Sequence, residues 1–304
     1  MEGSDDEILS LVTFGGLLIF MATIFLIMHL LFLAVNMKKC GFESNFAYTL
    51  MCLISILDCI QLLIHCITGV IVCFKVRMPL MKVIGAFMES SWILMGISTV
   101  FLSFHRFIFT ALSEKAESII TSRFSKVSFS ILLTSYFSLL IFLLSPYCSF
   151  MFSAELYWYF QPDYVYSWIG VIMDAMSSLG AALLNTLFYS VTFAVLFLKY
   201  PLLRHTSELR LTLLVFPQSG YQVLCFSICE FVIPIIPPRF YIRYIVIVLW
   251  VVWNSIGPLI YLMFCPSFRR ELKELLCKLM VWRKKKNGYG NRTVAISMTP
   301  FVKI

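Results

Sequence analysis

Charge is what this sequence has least of. Only 13% of its 304 residues are Asp, Glu, Lys or Arg, while 60% are apolar. Soluble domains carry about 25% charged and about 45–50% apolar residues. Too little charge remains to cover a water-facing surface. That excludes an ordinary cytosolic enzyme, a nucleic-acid-binding domain and a disordered chain. Other absences narrow the field further. The sequence has no Gly-rich phosphate loop, no metal-ligand spacing and no Ser/His/Asp array, so it reads as a non-enzyme without a cofactor. His29 and His65 have no second ligand at i+3 or i+4 and read as core histidines. Residues Tyr241–Phe264 contain no Lys, which excludes a retinal Schiff base there. No internal repeat, low-complexity block or long linker is present.

What the chain does have is long apolar runs. A helix needs about 20 mostly apolar residues to cross a bilayer. Seven stretches qualify: Leu9–Val35, Phe46–Phe74, Val83–Leu112, Val127–Met151, Val165–Leu198, Leu209–Ile236 and Tyr241–Phe264. They are solidly apolar rather than alternating, so helices are expected and a strand barrel is not. The expected fold is an all-α membrane protein with a seven-transmembrane helix bundle over residues 9–264. Residues 1–8 form a short leading segment, 265–282 a helix lying on the membrane surface, and 283–304 a basic tail.

Lys and Arg set the orientation. The first, third and fifth connections and the tail hold 18 of the 24, the other connections hold five, and Arg106 ends the third stretch. That bias puts the N-terminus outside and the tail in the cytoplasm. The acidic start, Glu2, Asp5, Asp6 and Glu7, agrees. The first stretch lacks a basic flank and a cleavage site and reads as an uncleaved signal-anchor. The net charge of +8 is mostly juxtamembrane, in Arg283-Lys284-Lys285-Lys286 and its surroundings, which suits anionic lipid headgroups rather than nucleic acid.

Several motifs stand at the expected inner surface. The third stretch ends in Ser103-Phe104-His105-Arg106-Phe107. An Arg there either grips carbonyls or acids in an opening cavity or snorkels to the interface. The seventh ends in Gly257-Pro258-Leu259-Ile260-Tyr261, where Pro258 removes one ladder hydrogen bond and permits a kink. Phe268, Leu272, Leu275, Leu276 and Leu279 then recur on one face, with Arg269, Arg270, Lys273 and Glu274 between them. That is an amphipathic surface helix. Cys277 beside it is a candidate for palmitoylation, as is Cys265.

Together these features resemble the rhodopsin-like G-protein-coupled receptors. Arg106 is similar to the arginine of their Asp-Arg-Tyr motif, Pro258 and Tyr261 to their Asn-Pro-x-x-Tyr, and Asp58 to their buried sodium-linked aspartate. His105, Phe107 and Gly257 depart from those motifs, and the acid that would restrain Arg106 is missing. A closer resemblance covers nearly the whole chain. The run Ile54 to His65, Thr68-Gly69, Val83-Ile84-Gly85, Ser91-Trp92, Pro217-Gln218-Ser219 and Trp253 through Leu262 resemble the nematode serpentine chemoreceptors, most closely their class T. The resemblance implies a sensory-neuron receptor of the plasma membrane, at the cilia, with a heterotrimeric G protein, a small-molecule ligand and membrane lipids as partners.

Four acids fall within the stretches: Asp58, Glu89, Asp174 and Glu230. A charge at mid-bilayer costs about 2.5–3.5 kcal/mol on insertion scales, so these residues should face the bundle interior. Glu89, Trp92, Asp174, Ser178 and Glu230 are expected to line a ligand pocket between the outer helix halves, roofed by Tyr157-Trp158-Tyr159-Phe160. Such a pocket favours a cationic or hydrogen-bond-donating ligand. Protonated or locally paired acids with a structural role are the alternative. Asp58 and Asn254 are expected to meet across helices two and seven, as an interhelical hydrogen bond ahead of a sodium site, since Met95 stands where a third polar ligand would. Pro217 and Pro234 would let the sixth helix bend.

Cys52, Cys59, Cys66 and Cys73 recur every seven residues and read as a packing seam. No Cys lies between Cys73 and Cys148, so the usual receptor bridge from helix three cannot form, and Cys73–Cys148 is the candidate substitute. The main rival from another class is a secondary transporter or a ligand-gated channel with seven helices. No repeated halves support the former, and the Lys/Arg bias opposes the inside N-terminus of an insect-type gustatory channel.

Overall fold

In the computed structural model the described residues are 2–42, 45–75, 78–153, 157–199, 220–221, 223–225, 227–235, 240–278 and 280. They form an all-helical membrane fold with one short hairpin. Helix α1 spans Glu2–Asn36, α2 Phe46–Phe74, α3 Met81–Ala111, α4 Ser122–Leu144 and α5 Ser167–Lys199. All five contain a span long and apolar enough to cross a membrane. Helices α6 (Phe240–Trp253) and α7 (Ile256–Phe264) form a pair bent by 49°, long and apolar enough together to count as a sixth candidate crossing if the two are one span. Most of the sixth apolar stretch, including Pro217, lies outside the described residues.

The polarity of the bundle is inverted relative to a soluble protein. Phe20, Ile27, Leu30, Phe137, Ile141, Leu183 and Leu187 face outward, while His29, Asp58, Gln61, His65, Glu89, Asn185 and Asn254 are buried. In lipid the apolar face costs nothing and the polar groups must find partners inside. The chain is therefore a multi-pass helical membrane protein.

Local chemistry sets the helix ends. Thr121 caps α4 by accepting from the Phe124 amide at 3.1 Å. Lys75 ends α2 in the left-handed region, with φ 51°. The fourth helix stops at Leu144, earlier than the apolar run to Met151 implies. Ser145 precedes Pro146 and is extended, as a residue before proline prefers. The apolar residues that follow form a strand instead. Strand β1 (Phe150–Ser153) pairs antiparallel with β2 (Tyr157–Phe160), with Phe150 opposite Phe160 and Phe152 opposite Trp158. Phe150 crosses so close to α3 that a Cβ at Gly85 would collide with its carbonyl. This glycine lets the hairpin lie against the end of the bundle.

Helix α3 is the central post, packing against α2, α4, α5 and β1. Asn185 of α5 clamps it at mid-height: Ser103 donates to Asn185 Oδ1 at 2.7 Å, and Asn185 Nδ2 donates to Thr99 at 2.9 Å. Helices α1 and α2 meet at Gly15 and Gly69, where an added Cβ would lie 2.8 or 2.9 Å from the facing carbonyl oxygen. Small residues at such a crossing let backbones approach closely.

The break between α6 and α7 follows from Pro258. Lacking an N–H, it leaves the carbonyl four residues back, that of Asn254, without its ladder donor. His29 Nε2 of α1 donates to that carbonyl instead. Past α7, residues 266–278 form a further helix. Its Phe268 is buried against Phe32 and Tyr261, Leu272 and Leu275 pack on the same core, and Arg269, Arg270, Lys273 and Glu274 are exposed. Arg269 donates to the Met263 carbonyl at 2.5 Å, capping α7, and Glu271 pairs with Lys39 at 2.7 Å. The basic tail at 283–304 lies outside the described residues.

Candidate functional site

A cavity of about 330 Å³ lies beneath the hairpin, between α3, α5 and α6. Glu89 and Trp92 of α3 reach it because they are one turn apart. Asp174 and Ser178 do the same from α5, and Trp250 and Trp253 from α6. Phe150, Trp158, Tyr159 and Phe160 close it from the hairpin. Of the five residues expected to line a pocket, Glu89, Trp92, Asp174 and Ser178 thus share one cavity. Glu230 falls in a π-helical turn, Ile228–Val232, just before Pro234, and its side chain lies outside the described residues. Proline and a π turn are each a site where a helix can kink.

The polar groups of the cavity differ in what holds them. Trp92 Nε1 donates to Asp174 Oδ1 at 3.0 Å, and Ser178 Oγ donates to the same oxygen at 3.3 Å. Asp174 is thereby fixed in place. Glu89 is 1% exposed, and both of its carboxyl oxygens lack a hydrogen-bond partner among the described residues. Trp158 Nε1 is buried in the same condition. The indoles pack on one another: Trp92 lies 5.0 Å from Trp250 and 5.2 Å from Trp253 between ring centroids. Trp250 Nε1 donates to Gln61 at 2.9 Å, and its ring meets His65 edge-on at 5.7 Å. Trp250 and Trp253 were legible as an i, i+3 pair on one face, but charge scarcity directed attention to the acids instead.

Deeper in the bundle, Asp58 and Asn254 stand on either side of His29. His29 Nε2 lies 3.9 Å from Asp58 Oδ2, and Nδ1 lies 2.7 Å from Ser55 Oγ. The Asn254 and Asp58 side chains do not bond to each other: Asp58 Oδ1 and both amide atoms of Asn254 are buried without a partner among the described residues. The interhelical hydrogen bond expected between them is not formed, and the hydrogen-bonded link between their helices runs instead from Ser55 through His29 to the Asn254 carbonyl. A void of about 30 Å³ adjoins His29, Ser55, Asp58, Pro258 and Tyr261, room for one water. The position of Pro258 was the available signal, because it marks the Asn254 carbonyl as needing an outside donor.

At the other end of α3, Arg106 is buried, with Nε unpartnered among the described residues. Tyr189 and Tyr261 lie within electrostatic range of it. Tyr261 donates to Met51 Sδ at 2.8 Å, and His105 stacks on Phe109 at 4.5 Å. Among the described residues no carboxylate forms an ion pair with Arg106.

The cysteines are free thiols. This corrects the suggested Cys73–Cys148 bridge. Cys73 lies on the α2 stripe facing α1 and reaches the Val12 carbonyl at 3.5 Å, whereas Cys148 is buried with Ala86, Met88 and Phe150. Burial pushes the Cys148 thiol pKa up. Cys66 meets Thr23 of α1 at 3.6 Å, so part of the seven-residue repeat serves as a seam with that helix. Cys277 is exposed on the terminal surface helix.

Comparison with known protein families found none that matches the chain, and comparison with curated proteins found no relative.

Proposed function

We propose that this chain is a chemosensory G-protein-coupled receptor of the nematode serpentine type, with seven membrane spans. The hairpin end and N-terminus face outside and the Arg106 end faces the cytoplasm. An extracellular small molecule enters the cavity beneath the hairpin. Its binding shifts the population of bundle conformations. The sixth span, weakened at Pro217 and by the π turn before Pro234, swings at its inner end. Arg106 and Tyr261 then meet a heterotrimeric G protein, with the basic connections Ser113–Lys126 and Lys199–Arg210 around them. The terminal surface helix and basic tail hold anionic lipid at the plasma membrane.

The observation that carries this reading is the cavity itself. Its walls come from three helices, Cys225 and Cys229 of the sixth stretch and an aromatic hairpin, and it contains a buried carboxyl group with no partner among the described residues. Ligand sites have this mixture of apolar wall and few convergent polar groups. The Lys/Arg bias supports the orientation. One feature favours a second reading: a bent helix pair beside buried polar groups is also how secondary transporters build their sites.

Two measurements separate these readings. An N-terminal epitope tag should be stained on intact cells, and staining only after permeabilisation contradicts the orientation. Cells expressing the chain with a promiscuous G protein should give a calcium response to some member of a chemical panel. Uptake of a panel compound without any such response would instead establish a transporter.

A further inference from the structure

The chemistry of the cavity wall narrows what it can hold. Glu89 presents two oxygens that no described side chain or backbone group satisfies. A buried carboxyl group in that condition is costly in either protonation state unless a donor arrives. A second carboxyl group, that of Asp174, shares the cavity, and no Lys, Arg or His is among its described lining residues. Lys82, near the hairpin end of α3, is committed elsewhere: its Nζ donates to the Ser145 carbonyl at 2.6 Å and lies 4.7 Å over the Tyr164 ring. The charge that the described lining residues can carry is thus negative.

The indoles add a second and independent constraint. Three of them have their N–H groups occupied, by Asp174, Gln61 and, at 3.5 Å, the Met95 sulfur, which holds Trp92, Trp250 and Trp253 in place. What they offer a ligand is their ring faces. A ring face attracts a cation within about 6 Å of its centroid and gives a neutral hydroxyl much less. The centroids lie 5.0 and 5.2 Å apart, so one small cation can touch more than one face. The fourth indole, Trp158, lies parallel to Phe150, with 8° between planes, and its buried N–H is free to meet an acceptor.

We propose that this cavity binds a compact organic ammonium, a primary or secondary amine whose N–H groups bond to Glu89 and whose charge rests against the Trp92, Trp250 and Trp253 faces. A hydrogen-bond acceptor elsewhere on the ligand meets Trp158. N–H groups are required because a quaternary ammonium would leave the Glu89 oxygens without donors. The volume, about 330 Å³, is near the lower end of the roughly 300–1,000 Å³ range of small-molecule sites, so the ligand is small. This assignment rests on the receptor reading for the cavity's opening to the outside, but binding itself needs no G protein.

The test uses the full chain in lipid nanodiscs and the emission of its own indoles. Methylamine, butylamine, piperidine, 2-phenylethylamine and tyramine are each titrated beside an uncharged counterpart of the same size, such as 2-phenylethanol for 2-phenylethylamine. At least one amine should bind saturably, and its counterpart should bind at least about tenfold more weakly. Glu89→Gln should weaken the amine by about tenfold or more and leave the alcohol nearly unchanged. Equal binding of charged and uncharged partners, or no binding by any amine, overturns the proposal on the unmodified chain, whether or not the variant folds. Undiminished amine binding by folded Glu89→Gln overturns it too. Amine binding with no G-protein activation would overturn the receptor reading and leave the ammonium site standing. Activation by uncharged compounds alone would do the reverse.

Discussion

Helix α3 carries a buried acid near one end and a buried base near the other. Glu89 and Arg106 are 17 residues apart, or about 25 Å along a helix. Both are buried, and both retain side-chain atoms without a partner among the described residues. Their surroundings differ. Glu89 is walled by indoles, faces a second carboxylate and lies under a hairpin. Arg106 stands among Tyr189, Tyr261 and His105, with no described acid to pair with. Under the proposed reading one end receives a cation in the cavity beneath the hairpin, and the other offers a guanidinium to an acceptor surface. Between them some polar groups are spent on the protein itself, as in the Asn185 clamp and the His29 bond to the Asn254 carbonyl, while Asp58 Oδ1, Ser98 Oγ and the Asn254 amide have no partner among the described residues. On this reading the unpaired groups that border the cavity or the inner end of α3 mark where an outside partner belongs, and Asp58 and Asn254 show that burial without a partner does not do so by itself.

Substitutions at the two ends should separate binding from coupling. Truncating a buried charged contact costs about 2–5 kcal/mol. Arg106→Ala should therefore lower G-protein activation by at least about thirtyfold, with indole-detected ligand binding unchanged. An equal loss of binding would erase the distinction between the ends. At the opposite end, Glu89→Gln should reduce ligand potency in the calcium assay by about tenfold or more. Asp174→Asn should cost less, a few-fold, because its amide oxygen still accepts from Trp92 and Ser178. Full responses from both variants at normal surface expression would remove the acids from the site.

The middle region should behave as structure. His29→Ala leaves the Asn254 carbonyl unsatisfied, and a buried unsatisfied group costs about 1–3 kcal/mol. Thermal unfolding in detergent should register that loss. In a Pro258→Ala background the restored N–H supplies the carbonyl, so the same His29 substitution should cost less. Additive effects in this double-mutant cycle would break the link drawn between Pro258 and His29. The smallest effect concerns thiols. Cys277 should react with maleimide at neutral pH and Cys148 should not. Because the Cys148 pKa is raised, its thiolate fraction at pH 7 is below that of an ordinary thiol. Any labelling of Cys148 should begin at a higher pH than that of Cys277. Mass spectrometry of labelled peptides reads both sites.

Much of this was legible from hydropathy and charge. The apolar runs locate α2, α3 and α5 to within a few residues, and the apolar part of α1 but not its start at Glu2, because a membrane span is specified by length and composition alone. The hairpin was not legible as strands, since Phe150 and Met151 continue the apolar run of α4. Pro146 was the local reason to end that helix sooner. Glu89, Trp92, Asp174 and Ser178 were readable as one cluster because helical spacing puts each pair on a common stripe. Trp250 was not legible as part of the site, and His29 was legible only as a core histidine. Aromatic residues and a lone His in a membrane helix look like filler until the packing shows which cavity the indole lines and which carbonyl the imidazole reaches. The Cys73–Cys148 suggestion failed because sequence distance from the hairpin end says nothing about which way a residue faces on its helix.

The central claim is that the two ends of α3 serve different partners on opposite sides of one membrane. Nucleotide exchange on a heterotrimeric G protein, measured with the purified full chain in nanodiscs, tests it most directly. An amine that binds the cavity should accelerate exchange, Glu89→Gln should shift the amine concentration required, and Arg106→Ala should abolish exchange without shifting binding. Saturable amine binding with no change in exchange, for any G-protein class offered, would contradict the account.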